Sequence, residues 1–451
     1  MKEIVADIDN FYRGQTLSLE SVNRIKELEE IIYEMTSIMN HIHSSDYSYK
    51  FWKFLLIDYI NEKLQNKQVL SAGIENNSSQ SKTTAKQKLV YLYKFLSNFN
   101  SFSKIKKILS SEKDIVYGFH DTEIIEREVG KVMPSYFPIF KGSKNIAKRQ
   151  RANKLAEEYD DFFYKNLILQ LPEILVERFD HIMEEIPLHD PKGKTFHVSI
   201  LPSEFNTILI AKYVRHGAKL HFYQHGGGGG EINNRAIFHY SSFSDHYVTW
   251  GWKINETEIP GKAYRCHGFK NRYNKFGKDF LYDCAFVFTA LDEHYKNFFR
   301  PITDYIFKNL DFGKYPRVIA RPRPLRKWED SRSQLDFIKH EKIKIDSGKT
   351  DMAYIAAKSK IVVTFKWIWP QTIFAECIYV DHPIIAMVAD LNCTTIFKPY
   401  YDFFVEQKVF HETVESLVDH LNSVDLDKWW SKLTEHPMYI SYKHTFVRKV
   451  I

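Results

Sequence analysis

Apolar residues recur every three or four positions near the start of the chain, a period typical of helices that bury one face. The segment LSLESVNRIKELEEIIYEMTSIMNHI, within residues 16–70, has this spacing. Residues 48–64, SYKFWKFLLIDYINEKL, are more aromatic than a surface helix, so we expect them in a core, with Trp52 or Tyr59 lining a cleft as the alternative. Residues 71–84 are polar and predict a loop.

Farther along the chain, short apolar runs of strand length alternate with helical segments. This alternation favours right-handed crossovers into a parallel sheet, and therefore an α/β fold. In the first half, strands are predicted at 114–121, 196–201, 219–224 and 246–250, and helices at 85–98, about 151–186 (interrupted by Pro172) and 204–217.

The second half repeats the alternation. Its predicted strands are 284–290, 316–324, 342–346, 360–365 and 379–388, and its predicted helices are 293–310, 331–341, 350–359 and 370–378. Between the halves, residues 253–278 are polar and contain Pro260, Gly261, Gly268 and Gly277, so we expect an irregular stretch and a domain boundary there.

Composition sets further limits. A chain of 451 residues exceeds what one core usually serves, so two or more domains are expected. The net charge of +7 without a dense Lys/Arg tract argues against a nucleic-acid binder and fits contact with anionic small molecules or an anionic membrane surface. The basic segment 141–154 is interpreted as a solvated helix start, with attraction of an anionic lipid or phosphate as the alternative.

The cysteines indicate a compartment. Cys266, Cys284, Cys377 and Cys393 lie far apart without C-x-x-C spacing, which argues against a zinc site or a disulfide framework and for a reducing cytoplasm. The first residues, MKEIVADIDNFYRG, lack the apolar region of a signal peptide, and no window approaches the roughly 18 apolar residues of a membrane span. The sequence therefore predicts a cytoplasmic protein, with peripheral contact to the inner membrane left open.

The segment KLHFYQHGGGGGEINNRAIFHYSSFSDHYVTWGW (219–252) is the first candidate for function. Ligands of open parallel sheets lie beyond the carboxyl ends of strands, and glycine lets a ligand touch the main chain. A flexible linker is the alternative. His225, at the strand end, is predicted to act as general acid/base or as a donor to a phosphate or carboxylate. His239 and Asp121 are further catalytic candidates, and the predicted acceptor side of a cleft consists of Gln224, Gly226, Gly227, Gly228 and Ser203.

The second half contains the predicted phosphate site. Arg321 and Arg323 leave a strand end with guanidinium groups that suit phosphate oxygens, a solvated basic edge being the alternative. TFKWIWPQTIFAE (364–376) places a helix start after a strand, where amides and the helix dipole favour phosphate; an ordinary capped helix is the alternative. Glu376 is expected to accept sugar hydroxyls. The predicted donor-binding residues are Arg321, Arg323, Thr364, Lys366, Gln371, Thr372 and Glu376.

Several common catalytic motifs do not occur in the sequence. H-E-x-x-H, G-x-x-x-x-G-K-[ST] and G-x-S-x-G are all missing. Their absence argues against a metalloprotease, a P-loop enzyme and an α/β-hydrolase.

The combination of motifs resembles a known family. QHGGGGG followed by His239, Ser244-Asp245 and the TWGW of 249–252 is similar to the signature of a bacterial family of surface-carbohydrate transferases. Gly229 and Tyr240 depart from it, at positions where tyrosine and glutamate are frequent. Segments 49–56, 171–179 and 364–376 resemble its other blocks, so the resemblance extends over most of the chain.

The family is similar to GT-B glycosyltransferases, including those that move Kdo and related ulosonic acids. The resemblance implies two Rossmann-like domains facing across a cleft, with helical N-terminal additions. Residues 1–260 would form the helical and acceptor-side domain, residues 275–426 the nucleotide-sugar domain, and residues 427–451 a helix that crosses back.

The function that the resemblance implies is glycosyl transfer in bacterial surface polysaccharide synthesis, such as capsule or O-antigen (lipopolysaccharide). The donor would be a nucleotide sugar, first a CMP-activated ulosonic acid, and the acceptor a glycan or lipid-linked glycan. Neither a cofactor nor a metal is expected, because cationic side chains and backbone amides can stabilise the phosphates. The alternatives are a CDP-glycerol or CDP-ribitol phosphotransferase, a non-catalytic nucleotide-sugar-binding partner, and a UDP-sugar 2-epimerase.

Overall fold

The protein is represented by a computed structural model, and contacts divide its chain into two compact units. The structure describes residues 19–71, 108–110, 114–119, 129–133, 144–200, 204–231, 240–277, 279–288, 293–323, 331–366, 372–388 and 393–450. The first unit comprises Met1–Arg13, Leu17–Tyr223 and Arg235–Tyr247, and the second comprises Gly14–Thr16, Gln224–Asn234 and Val248–Ile451.

The first sheet has six strands in the order β2-β1-β3-β4-β5-β6. The strands β1, β2, β3 and β4 pair in parallel, with His197 on β3 opposite Val116 on β1 and His221 on β4. The bounds are β1 Ile115–Tyr117, β2 Lys131–Val132, β3 Thr195–Val198, β4 Lys219–Tyr223, β5 His246–Thr249 and β6 Glu258–Pro260. All four strands predicted in this half are confirmed.

Helices precede and connect these strands. Their bounds are α1 Leu19–His43, α2 Tyr49–Ser71, α3 Ile146–Glu157, α4 Phe162–Leu169, α5 Glu173–Val176, α6 Phe179–Glu185 and α7 Glu204–Arg215, with a 3-10 turn at Pro191–Gly193. The helical pattern of 151–186 is thus divided into separate helices. Asp161 caps α4, since its side chain accepts from the amides of Phe163 and Tyr164, and Pro172 precedes α5. The predicted helix 85–98 lies outside the described residues.

The N-terminal helices form part of a core. Trp52, on α2, is fully buried and lies 5.6 Å from the His43 ring and 5.3 Å from the Phe179 ring. Lys53 forms an ion pair with Glu29 in which each side chain is only 1% exposed. The prediction that residues 48–64 pack in a core is confirmed, and the helical N-terminal additions are present.

The basic segment before and within α3 forms contacts inside its own unit. Asn145 caps α3 by accepting from the amide of Lys148. Arg149 donates to both carboxylate oxygens of Glu177, at 2.8 Å each. Lys144 pairs with Glu173. These charges support the interpretation of the segment as a helix start.

The second sheet has six strands in the order β12-β11-β10-β7-β8-β9, and its strands pair in parallel. In the centre, Val363 on β10 lies opposite Phe286 on β7 and Ile385 on β11, and all three side chains are fully buried. The bounds are β7 Tyr282–Val287, β8 Val318–Arg321, β9 Ile343–Ile345, β10 Ser359–Lys366, β11 Ile384–Val388 and β12 Phe410–His411. The α/β class with two parallel, Rossmann-like sheets is confirmed.

The helices of the second unit are α8 Tyr264–Lys275, α9 Glu293–Asn309, α10 Met352–Ala357, α11 Thr372–Tyr379, α12 Lys398–Glu406, α13 Val414–Ser423, α14 Leu426–Thr434 and α15 Pro437–Phe446. Residues 427–451 thus contain two helices, and His436 caps the second by accepting from the Met438 amide. Asp351 caps α10 by accepting from the Ala353 amide. The helix predicted at 331–341 is wrong: only a 3-10 turn forms, at Arg332–Leu335, although the buried Gln334, Leu335 and Ile338 recur at helical spacing. The backbone bonds here join residues three apart, from the Gln334 amide to the Ser331 carbonyl and from the Ile338 amide to the Leu335 carbonyl, as in a 3-10 turn.

The irregular stretch expected at 253–278 is a second difference. It contains β6 and the twelve-residue helix α8. Cys266, Gly268 and Phe269 are buried on α8, whereas its other positions are mostly polar. A helix that buries so narrow a stripe leaves little periodic pattern in the sequence.

Three histidines form a row across strands of the first unit. The ring of His221 lies 5.3 Å from that of His197 and 5.0 Å from that of His246. Burial, assisted by both neighbouring rings, lowers the pKa of His221 to about 4. Burial also lowers the pKa of His197, although its contact with Asp114 opposes the shift. His221 is therefore neutral in the folded protein near neutral pH.

The second unit has a similar pair. The rings of His411 and His420 lie 5.3 Å apart. Burial lowers the pKa of each to about 4, with the neighbouring His420 adding to the shift at His411 and the charges of Lys408 and Lys314 adding to it at His420. Both imidazoles are therefore neutral in the folded protein near neutral pH.

We expect these histidines to make the protein sensitive to mild acid. Between pH about 6.5 and 4, an unfolded chain protonates His221, His411 and His420 and the folded chain does not, so the free energy of unfolding should fall by up to about 1.4 kcal/mol per pH unit for each. Denaturant titrations at pH 7, 6 and 5 measure this slope. His221→Gln should reduce the slope, and His216→Gln, at an exposed position, should not. Equal slopes for the unmodified protein and both variants would contradict a contribution of His221 to the pH dependence.

Candidate functional site

The amide of Gln224 joins the two halves of the sequence signature. Its Oε1 accepts from the Trp250 amide at 3.0 Å and from Trp252 Nε1 at 2.7 Å. Its Nε2 donates to the Gly226 carbonyl at 2.8 Å, and its own carbonyl accepts from Trp250 Nε1 at 3.0 Å. Gln224 and both tryptophans are buried. The QHG and TWGW segments are therefore connected by one buried side chain.

The last three glycines of the run are packed. Gly228 and Gly230 have φ of +84° and +71°, a region that favours glycine. A Cβ on Gly229 would lie 2.6 Å from Gln224 Cδ, and one on Gly230 would lie 2.4 Å from Trp252 Cδ2. Packing and backbone conformation, rather than access to a ligand, account for glycine at Gly229 and Gly230.

The first part of the run is different. His225, Gly226 and Gly227 are only half-buried, and the two glycines lie against the start of α11. The Gly227 amide donates to Thr372 Oγ1 at 3.2 Å, and a Cβ on Gly226 would lie 2.9 Å from the same oxygen. Gly226 and Gly227, which were predicted to lie on the acceptor side, thus contact Thr372, which was predicted to bind the donor. All three residues belong to the second unit.

Arg265 connects His225 to Glu376. The Arg265 Nη1 lies 3.4 Å from His225 Nε2, and its Nε donates to Glu376 Oε1 at 3.2 Å. Because a guanidinium has no acceptor, this contact is a hydrogen bond when His225 Nε2 accepts, with the ring proton on Nδ1. The Arg265 side chain is 30% exposed and that of Glu376 is 8% exposed. Glu376 thus holds Arg265 from the buried side, next to a histidine that solvent reaches.

Charges of both signs surround this contact. Burial raises the pKa of Glu376, and the nearby Asp351 raises it further, whereas Arg265 and Arg272 lower it. Arg272, two turns after Arg265 on α8, has its Nε 3.1 Å from Asp351 Oδ2. Arg265 is therefore the group that most favours the ionised form of Glu376.

Arg321 ends β8, as predicted, and is 7% exposed. Its Nη2 donates to the Thr350 carbonyl at 2.7 Å, and its Nε lies 3.8 Å from Asp346 Oδ2. That Nε has no hydrogen-bond partner among the described residues. Burial lowers the pKa of Arg321, and Asp346, Asp351 and Glu376 oppose the shift. Glu376 thus acts electrostatically on Arg321 and also accepts a hydrogen bond from Arg265.

The other predicted donor-binding residues have varied positions. Thr364 is fully buried on β10, opposite Val287. Lys366 is the last residue of β10, and Arg323 is exposed beyond the end of β8. Four predicted site residues lie outside the described part of the chain: Asp121, Ser203, His239 and Gln371.

Arg265 was not among the predicted residues. It lies in KAYRCHGFK, within the stretch expected to be irregular, and nothing in its sequence neighbourhood indicates that it meets His225. The available signal was weak: Cys266 and Phe269, three positions apart, are compatible with a buried helical face.

Possible metal ligands, membrane-spanning helices and cysteine thiols are three further features of the described residues. Within the ranges that the structure describes, no group of three or more His, Cys, Asp or Glu residues is placed to hold a metal ion. In the same ranges, no helix combines the length and apolar character needed to cross a membrane.

Burial raises the pKa of the free thiols of Cys266, Cys284 and Cys377, which are therefore protonated and poor nucleophiles.

The architecture belongs to the class of Rossmann-like α/β proteins, in which ligands lie at the carboxyl ends of parallel strands. Residues 61–451 match the model of the LIC12162 family transferase. The chain therefore belongs to this family of transferases, which confirms the transferase part of the resemblance found in the sequence.

Comparison with solved structures gives distant similarities. The wall teichoic acid polymerase TagF is 10% identical, with 79% of this chain and 93% of that chain covered and a TM-score of 0.33. An α,α-trehalose-phosphate synthase (UDP-forming) from Burkholderia xenovorans, in complex with glucose-6-phosphate, is 8% identical over 77% of this chain and 94% of that chain, with a TM-score of 0.39. No curated protein sequence matches.

Proposed function

We propose that this transferase is a glycosyltransferase that moves a sugar from a nucleotide-activated donor to a bacterial surface glycan. The observation that supports this most is the contact of half-exposed His225 with Arg265, beside the start of α11. A histidine, a guanidinium and a helix start are all suited to a phosphate that gains negative charge as it leaves.

Donor binding would use the positive groups of the second unit. The first turn of α11, starting at Thr372, offers amides without helical partners and the positive end of its dipole. Arg265 keeps further N–H groups beside those that contact Glu376 and His225. Arg321 retains an Nε without a hydrogen-bond partner among the described residues.

The reaction would exchange one bond for another at the anomeric carbon. The acceptor oxygen forms the new bond and releases its proton to solvent, while the bond to the phosphate oxygen breaks and its electron pair stays on the phosphate. Arg265 and α11 stabilise that charge, and His225 donates a hydrogen bond or a proton to the leaving phosphate or to a donor carboxylate.

We further propose a CMP-activated ulosonic acid, of the Kdo or nonulosonic type, as the donor and a glycan or lipid-linked glycan as the acceptor. Such a donor has a carboxylate next to its reacting carbon, in addition to the phosphate. Arg265, Arg321 and Arg323 offer enough cationic groups for two anions, so no metal ion is needed.

Donor screening tests the proposal. CMP-, CDP-, UDP- and GDP-linked compounds are added to the purified chain, and melting temperature and transferred product are measured. We expect CMP compounds to stabilise the protein and to be consumed only when an acceptor glycan is present. His225→Ala should abolish transfer, whereas His216→Ala, at an exposed position outside the site, should retain it.

Other outcomes identify other functions. Transfer of glycerol phosphate or ribitol phosphate from a CDP donor would replace glycosyl transfer with phosphotransfer. Nucleotide-sugar binding without transfer, unchanged by His225→Ala, would indicate a binding protein.

A further inference from the structure

The second unit has a cavity away from His225. Its volume is about 400 Å³, within the range typical of sites for small molecules. The lining residues are Asp381, Thr434, Tyr439, Ile440, Lys443, His444 and Lys449.

The cavity lies at the far end of α11 from the candidate site. Thr372 begins the helix next to Gly227, and Tyr379 ends it two residues before Asp381. A helix of this length spans about 12 Å. A small ligand in the cavity would therefore not occupy the position beside His225 and Arg265.

One wall of the cavity is rigidly built around Asp381. Lys443 is 8% exposed and contacts Asp381 Oδ1, which also accepts from the Tyr439 hydroxyl at 3.0 Å. The Asp381 carbonyl accepts from Trp430 Nε1 at 2.8 Å. Because these contacts fix both the lysine and the carboxylate, the wall is formed before any ligand arrives.

The cavity has more positive than negative groups. Asp381 is the single carboxylate of its lining, against the two lysines Lys443 and Lys449, and His444 adds an imidazole that can donate a hydrogen bond. Burial lowers the pKa of Lys443, the contact with Asp381 opposes this shift, and the charges of Lys449 and of Lys270, on α8, add to the lowering. Lys449 and His444 are exposed, so their side chains can turn toward a ligand.

We propose that this cavity binds a small anionic polyol, that is, a phosphate or carboxylate group on a hydroxylated carbon skeleton. Lys449 and His444 would hold the anion by charge-assisted hydrogen bonds. Asp381 and the Thr434 hydroxyl would bind hydroxyl groups. Ile440, whose side chain is 44% exposed, offers an apolar surface for the carbon skeleton.

Calorimetric titration of the purified full chain tests the site. Glucose 6-phosphate and N-acetylneuraminate represent the phosphate and carboxylate forms, and glucose and inorganic phosphate represent the separate parts. We expect one of the two combined probes to bind saturably and at least about tenfold more tightly than either part, since charged and hydroxyl groups act together. The stronger of the two probes identifies the anion.

Variants locate the binding. The double change Lys449→Ala and His444→Ala removes exposed groups and should weaken binding about tenfold or more without lowering the melting temperature. Lys428→Ala, an exposed lysine on α14 outside the cavity, should leave affinity unchanged, and so should His225→Ala. Affinity unaffected by the double change, affinity lost with His225→Ala, or inorganic phosphate binding as tightly as the sugar phosphate would overturn the proposal. Absence of saturable binding up to about 10 mM of either combined probe would overturn it as well.

Discussion

Replacing Arg265 by alanine is expected to lower kcat for sugar transfer by about 100-fold or more, the usual effect of removing one donor from a developing negative charge. Arg265 is the cation that lies 3.4 Å from His225, and Glu376 fixes its orientation from the buried side. The measurement is steady-state transfer with saturating donor, so that loss of chemistry is separated from loss of binding.

Two further variants make this prediction specific. Arg265→Lys keeps the charge, but one ammonium cannot reproduce a fork that reaches both Glu376 and His225, so we expect a loss of about 10-fold or more. Arg272→Ala is the matched control, because Arg272 lies on the same helix and pairs with Asp351 instead. If Arg272→Ala is as damaging as Arg265→Ala, general charge near α8 explains the effect and the contact with His225 does not.

Stability must be measured alongside activity. Without Arg265, less would oppose the effect of burial, so the pKa of Glu376 would rise further and the protonated carboxyl group would be favoured. Glu376→Gln removes the charge while keeping an acceptor for Arg265. A folded Glu376→Gln variant with reduced activity would show that the carboxylate acts by positioning Arg265.

The parallel α/β architecture could be predicted because its strands are short, apolar and separated by regular helical segments. β7, β8, β9, β10 and β11 all appear where the pattern places them, since buried parallel strands are near-continuous apolar runs. The failures occur where this contrast is weak. α8 buries a narrow stripe including Cys266 and Phe269 under a mostly polar surface, so its sequence is typical of a loop.

The candidate site was predicted only in part, for a different reason. His225, Thr372 and Glu376 could be chosen because strand ends and helix starts are recognisable in a sequence. Arg265 could not, because its role depends on where α8 packs, and no periodicity contains that information. Gln224–Asn234 follow a strand of the first sheet but belong by their contacts to the second unit. The pattern of apolar and polar residues does not show this either.

Gly230→Ala is expected to destabilise the protein by several kcal/mol. The new Cβ would lie 2.4 Å from Trp252 Cδ2, and Trp252 is 1% exposed and hydrogen-bonded to Gln224, so its ring has little room to move. Overpacking of this kind costs about 1–3 kcal/mol, in addition to about 1–2 kcal/mol for an alanine at positive φ.

Gly277→Ala separates the two contributions. Gly277 has φ +64°, close to the +71° of Gly230, but a Cβ there would meet no atom of the described residues within 4 Å. The substitution should therefore cost only the about 1–2 kcal/mol of placing an alanine at positive φ. Denaturant unfolding of both variants measures the difference, which reports the clash with Trp252 alone. Equal destabilisation by the two substitutions would mean that Trp252 yields, and that the glycine run is fixed by backbone conformation rather than by the tryptophan packed on it.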